Sequence, residues 1–268
     1  MTHSNRSPAV VILCGGMGTR LREETEIRPK PMVDIGGRPI LWHIMKSYAR
    51  YGFRDFVLCL GYKGEVIKHF FANYDLLMND FTLTLGPRGG KVDIHKTDEN
   101  DHDWRVTLCD TGLKAKTGAR IKRVEKYIDS DIFLLTYGDG VTDLDIRALL
   151  KFHTSHGRIG TVTGVVPPSR YGELDIQGRQ IVAFREKPRQ GDGSISGGYF
   201  VFNRKFLDYL SDDDECVLER EPLERLARQG ELMVHLHDGF WQCMDTYRDY
   251  EYLKRIWERG NAPWKVWD

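Results

Sequence analysis

The 268-residue chain has no excess of either charge: 39 Lys and Arg balance 39 Asp and Glu. A surface built throughout to neutralise a nucleic-acid backbone is therefore not expected, although neutrality leaves room for a local phosphate site. Long apolar runs are also missing. The longest near the start, Ala9–Cys14, is far short of the roughly 18 residues of a membrane span. Residues Met1–Pro8 are polar and lack the apolar stretch of a secretory signal. The cysteines Cys14, Cys59, Cys109, Cys216 and Cys243 are odd in number and far apart. Without a Cys-x-x-Cys pair they fit neither a disulfide framework nor a zinc knuckle. The 9 His show no His-x₃-His pair on a predicted helix, and the 6 Trp and 12 Tyr form no base-stacking pattern. No repeat, low-complexity tract or Ser/Pro-rich linker interrupts the chain. What remains is ordinary globular composition, 41% hydrophobic and 29% charged. A reducing, cytoplasmic setting is expected, with neither a nucleic-acid nor a membrane partner.

The hydrophobic period alternates along the chain. Ala9–Cys14, Phe56–Leu60 and Ile132–Tyr137 read as strands buried on both faces, with helical spacing in Ile40–Tyr51, Glu65–Tyr74 and Ile146–His156 between and after them. This order predicts right-handed crossovers and a mostly parallel sheet. Phe81–Leu85, Val92–Ile94 and Val106–Leu108 read as antiparallel or edge strands. Arg120–Tyr127 is expected to be helical, and a β-rich segment covers Leu174–Glu186 and Ser196–Phe202. A strand at Leu232–Leu236 and helices at Pro222–Arg228 and Thr246–Arg259 close the chain.

A glycine-rich segment, Leu13-Cys-Gly-Gly-Met-Gly-Thr-Arg-Leu21, leaves the first strand. Gly15, Gly16 and Gly18 let amide groups turn toward an anion at the carboxyl edge of the sheet. A dinucleotide fingerprint would need a third glycine at Leu21, and a Walker A loop would end in Gly-Lys-Ser/Thr rather than Arg20-Leu21. Alone, the segment reads equally well as a tight turn. Arg20 and Lys30, the latter held in a stiff Pro29-Lys30-Pro31 frame, add cations suited to a polyphosphate. Asp139 closes a buried strand between Gly138 and Gly140, and Asp245 lies in an aromatic segment. An Asp in Gly-Asp-Gly is more often a turn residue than a ligand, whereas Mg²⁺ takes just one or two protein carboxylates. Asp212–Glu215 reads as a solvated loop.

Gly15-Gly-x-Gly-Thr-Arg-Leu21 followed by Pro29-Lys-Pro31 resembles the signature of the sugar-1-phosphate nucleotidyltransferases. Arg20–Thr25, Pro29–Val33, Ile40–Lys46 and Gly61–Gly64 resemble the branch that moves a cytidylyl group to glucose 1-phosphate. The likeness runs from Ala9 to Trp267 and includes Tyr137–Gly140, Glu186-Lys-Pro188 and Phe240–Thr246. It implies an α/β fold: a Rossmann-like, mostly parallel mixed sheet flanked by helices, with a small β-rich sugar-binding insertion. Residues 9–268 would form a single domain after a polar extension, 1–8. By resemblance, Arg20 and Lys30 are the candidate catalytic residues, and Asp139 and Asp245 converge on Mg²⁺. Leu13, Gly15, Gly16, Gly18, Thr19, Thr111, Gly112 and Arg120 would bind the nucleotide. Tyr171, Gly172, Glu186, Lys187, Gly197 and Gly198 would bind the sugar phosphate. CTP and a hexose 1-phosphate are the implied substrates, and a homo-oligomer, with a hexamer as one candidate, is the implied assembly, Trp264 being a candidate interface residue.

Three points stay open. Arg120 reads equally as a donor to a pyrimidine carbonyl or as an arginine that caps a loop or pairs with Glu125. Glu186 and Lys187 also fit a plain surface ion pair. Ser196 stands where the glucose-specific branch carries Asn, so the sugar is less firmly indicated than the nucleotide. The competing readings are a relative that uses UTP, dTTP or another sugar, and a nucleotide-sugar-binding regulatory module without chemistry.

Overall fold

A computed structural model of the chain describes residues 7–18, 21–86, 90–96, 103–167, 173–177, 180–185 and 194–267. Its first part runs β1 (Val10–Leu13), α1 (Arg22–Thr25), α2 (Ile40–Arg50), β2 (Asp55–Leu60), α3 (Gly64–Ala72) and α4 (Tyr74–Met78). Then come β3 (Asp80–Thr84), β4 (Lys91–His95), β5 (Arg105–Asp110), α5 (Thr117–Arg123), β6 (Ile132–Tyr137), β7 (Gly140–Thr142) and α6 (Ile146–His156). The chain continues through β8 (Gly160–Val165), β9 (Glu173–Gln177), β10 (Gln180–Arg185), β11 (Ile195–Asn203) and α7 (Glu221–Arg228). It ends with β12 (Leu232–His237), β13 (Trp241–Cys243) and α8 (Tyr247–Glu258).

The central sheet has seven strands in the order β12-β8-β11-β6-β1-β2-β5. β1 pairs in parallel with β2 and β6, β2 with β5, and β8 with β12; only β11 runs against its neighbours. The apolar run at the start becomes an interior strand, between β6 and β2, with every residue of Val10–Leu13 buried. Helices cover each face, giving one core around Val10, Ile12, Ile44 and Tyr48 and another around Val11, Leu13, Phe133 and Phe202. The mostly parallel mixed sheet is the expected architecture.

Val106–Leu108 lies in an edge strand, as expected, where β5 joins the main sheet in parallel with β2. Three local expectations are corrected. Ser196–Phe202 belongs to the central sheet through β11, so of the expected β-rich segment only the β9–β10 hairpin stands apart. The helix expected from Arg120 starts at Thr117, and Glu125–Tyr127 winds on as a 3₁₀ turn. Trp264 faces inward: it is 0% exposed, stacks 5.6 Å from Phe240 and donates from Nε1 to His43 Nδ1 at 3.3 Å. A large apolar indole gains more from this core than from a surface, so it is no interface residue. No helix among the described residues is long and apolar enough to cross a membrane.

Candidate active site

At the carboxyl edge of the sheet a cavity of about 420 Å³ opens beside β1. Its wall brings together Leu13, Gly15, Gly16, Gly18, Lys30, Arg120, Asp139 and Asp245, residues scattered along the sequence. Gly18 adopts φ 61°, and a Cβ there would meet Thr25 Cγ2 at 2.8 Å, so glycine is required by both backbone and space. Thr25 Oγ1, 2.9 Å from Leu21 O and 3.2 Å from Gly18 O, closes the turn from below.

Arg120 supports the loop from beneath. Its side chain is buried, with Nη1 donating to Leu60 O at 2.9 Å and to Thr111 Oγ1 at 2.8 Å. Nη2 donates to Gly15 O at 3.1 Å and to Leu113 O at 3.4 Å. The guanidinium lies so close that a Cβ on Gly15 would come within 2.1 Å of Nη1. Of the readings left open, the loop-holding one is present and the Glu125 pair is not: Glu125 pairs with Lys122 at 2.8 Å. Burial lowers the pKa of Arg120. Thr111 and Gly112 stand behind this arginine rather than on the cavity wall; Thr111 Oγ1 donates to Leu60 O at 2.6 Å, and Gly112 N donates to Asp110 Oδ1 at 3.0 Å.

The charged centre is Lys30. Its Nζ lies 2.6 Å from Asp139 Oδ2 and 2.7 Å from Asp245 Oδ1, the second of these 215 positions away in sequence. A miniature ladder makes this possible. β7 pairs antiparallel with β13, placing Gly140 opposite Cys243, and Met244 N donates to Asp139 O at 2.8 Å. Burial opposes the Lys30 charge, but the Asp139 and Asp245 carboxylates outweigh it and hold the ammonium above the ordinary lysine range. Cys243 joins the two aspartates in a group whose ligand atoms lie within 4.8 Å of one another, an acidic group able to hold a metal ion. Burial, with the Asp139 charge adding to it, pushes the Cys243 thiol up. A neutral thiol is a poor ligand for a hard cation, which leaves a two-carboxylate set of the kind Mg²⁺ accepts.

Sequence reasoning overlooked one wall. Tyr137 donates its hydroxyl to Glu219, and Glu219 Oε2 accepts from Thr117 Oγ1 at 2.7 Å. All three line the cavity. Tyr137 sits in a recognisable segment, whereas Glu219 lies in a charged stretch before α7 and carries no motif. Burial, reinforced by the Glu219 charge, raises the Tyr137 pKa and keeps it a donor. Gly197 and Gly198 lie next to this wall on β11: Gly198 has φ 77°, and a Cβ there would meet Tyr137 Cδ2 at 2.7 Å. Thr19, Arg20, Tyr171, Gly172, Glu186 and Lys187 fall outside the described residues.

Residues 9–250 match the nucleotidyl transferase family. The chain is 55% identical over 260 residues to the glucose-1-phosphate cytidylyltransferase of Salmonella typhi, an alignment covering 96% of this chain and 99% of the relative. The same identity and coverage, 55% over 260 residues with 96% and 99%, relate it to the glucose-1-phosphate cytidylyltransferase of Salmonella typhimurium. Among solved structures, HddC from Yersinia pseudotuberculosis superposes with a TM-score of 0.66 at 26% identity, covering 94% of this chain and 100% of HddC. With the match running through the glycine-rich loop, Lys30 and both aspartates, the chain belongs to the nucleotidyl transferase family.

Proposed function

We infer that this protein transfers the cytidylyl group of CTP to α-D-glucose 1-phosphate, giving CDP-glucose and pyrophosphate. The observation that carries this reading is the ammonium of Lys30 set between Asp139 and Asp245 on the wall of the glycine-loop cavity. A fixed cation and a divalent-metal ligand pair beside backbone donors are what two reacting phosphates need. The relatives at 55% identity support the choice of substrates.

An oxygen of the sugar phosphate attacks the α-phosphorus while the bond to pyrophosphate breaks in line. The nucleophile is already an anion, so no general base is needed; the obstacle is repulsion between two polyanions. Lys30 neutralises charge around the α-phosphate, and Arg20 with the amides of Gly15, Gly16, Gly18 and Thr19 holds the β- and γ-phosphates. Asp139 and Asp245 would hold Mg²⁺, which when bound supplies positive charge to the phosphates. Leu13 and Arg120 serve the nucleoside, with Thr111 and Gly112 supporting Arg120 from behind. The four Nη–H groups of Arg120 are taken by Leu60 O, Thr111 Oγ1, Gly15 O and Leu113 O, so Nε–H is its donor for a pyrimidine carbonyl. Glu186 accepts from sugar hydroxyls and Lys187 meets the sugar phosphate, with Tyr171, Gly172, Gly197 and Gly198 alongside.

Residues 9–268 act as one domain of a cytoplasmic homo-oligomer, with a hexamer the expected size; light scattering after size exclusion reads it directly. The deciding experiment for the activity is pyrophosphate release from CTP, UTP and dTTP with glucose 1-phosphate. CTP is expected to be the efficient donor. Equal or better turnover with UTP or dTTP overturns the nucleotide assignment, and no turnover with any sugar phosphate overturns the enzymatic one.

A further inference from the structure

The order of strands fixes a direction along the cavity. Arg120 binds carbonyls at the ends of β2 and β1, through Leu60 O and Gly15 O. Tyr137 and Asp139 stand at the end of β6, on the other side of β1, and Gly198 follows on β11. The cavity therefore runs from the Arg120 end, across the glycine loop and its phosphates, to a Tyr137 end flanked by Gly198. Between Tyr137 and Thr117, the first residue of α5, the acceptor among the described residues is Glu219.

Glu219 is unlike the other carboxylates of the cavity. Asp139 and Asp245 are held by Lys30. Glu219 has no ion-pair partner among the described residues and is oriented by two neutral hydroxyls, those of Tyr137 and Thr117. A bare negative charge repels phosphate, so its wall suits a neutral, donor-rich part of a substrate. Ionised carboxylates have acceptor sites to spare after two such bonds. Ser196, the neighbouring polar side chain on β11, already accepts from Gly198 N at 3.3 Å through its short Oγ.

We propose that Glu219 is a specificity-determining residue that accepts a hydrogen bond from a ring hydroxyl of the hexose 1-phosphate. This rests on the transfer reaction inferred above. The carboxylate aligns one hydroxyl, Tyr137 sets the carboxylate, and the hexose ring lies between Gly198 and the phosphate centre.

The test is steady-state kinetics of Glu219→Gln and Glu219→Ala with CTP and glucose 1-phosphate. Loss of a hydrogen bond to a charged group predicts a rise of about 10- to 100-fold in KM for the sugar phosphate in Glu219→Ala, and a smaller rise in Glu219→Gln. KM for CTP stays within about twofold of wild type, which a general loosening of the cavity would not permit. One of the 2-deoxy and 3-deoxy analogues of glucose 1-phosphate shows the same loss with wild type and no further loss with Glu219→Ala. A rise in KM for CTP together with improved use of UTP means that Glu219 reads the base, and overturns the proposal. An unchanged KM for the sugar phosphate overturns it too. Should wild type prefer another nucleotide or sugar, the cytidylyl reading fails while the same comparison, run with the preferred pair, still tests Glu219.

Discussion

Acid should unfasten the C-terminal aromatic cluster through His43. This ring is fully buried; Nε2 donates to Ile35 O at 2.9 Å, and Nδ1 accepts from Trp264 Nε1. Trp257 and Trp42 meet it edge-on, at 4.5 Å and 5.3 Å between ring centroids. Both nitrogens are satisfied in the neutral form, and a second proton would point Nδ1–H at another N–H. Burial lowers the pKa from 6.5 to about 4. The unfolded chain thus binds a proton that the folded chain refuses, and stability falls as pH drops from about 6.5 toward 4. Relative to pH 8, this one residue weakens folding by about 2 kcal/mol at pH 5 and about 3 kcal/mol at pH 4. His43→Gln keeps a donor and an acceptor but cannot titrate there. Chemical denaturation from pH 8 to pH 5, with Trp fluorescence as the probe, should show the variant losing about 2 kcal/mol less than wild type. Parallel pH profiles for the two proteins would refute the reasoning.

Gly15→Ala drives a Cβ to 2.1 Å from Arg120 Nη1, so denaturation should show a loss of about 1–3 kcal/mol and kinetics a raised KM for CTP. Arg120→Lys cannot span Leu60 O, Thr111 Oγ1, Gly15 O and Leu113 O together. Its cost is about 2–4 kcal/mol, and a wild-type midpoint would contradict the supporting role. EDTA should abolish turnover and Mg²⁺ restore it, while Asp245→Asn should weaken Mn²⁺ binding at least about tenfold by paramagnetic resonance in the presence of CTP.

The parts of the site legible in sequence are those made by local chain. Ala9–Cys14 announces a doubly buried strand because nothing polar interrupts it, and the glycines after it announce a turn because only a loop tolerates them. What sequence hides is long-range. The pairing of Asp139 with Asp245 depends on β7 and β13, two strands of three residues whose period is too short to detect. Arg120 reads from sequence as a ligand-facing donor, a loop cap or a partner of Glu125, and the loop cap is what the structure shows. Which groups it holds, the carbonyls of Leu60, Gly15 and Leu113 and the Thr111 hydroxyl, has no sequence signature. Glu219 enters the wall through hydroxyls of two other segments. Trp264 could be assigned to the surface because it follows the last helix, yet the ring fills the core beside His43.

The most direct measurement is pyrophosphate release from CTP and glucose 1-phosphate by Lys30→Ala, after circular dichroism has established that it folds as wild type does. Removing the ammonium between Asp139 and Asp245 should lower kcat by about 10²- to 10³-fold, in line with the loss of a donor to developing charge. A folded Lys30→Ala protein that turns over at the wild-type rate would contradict the role given to this cation.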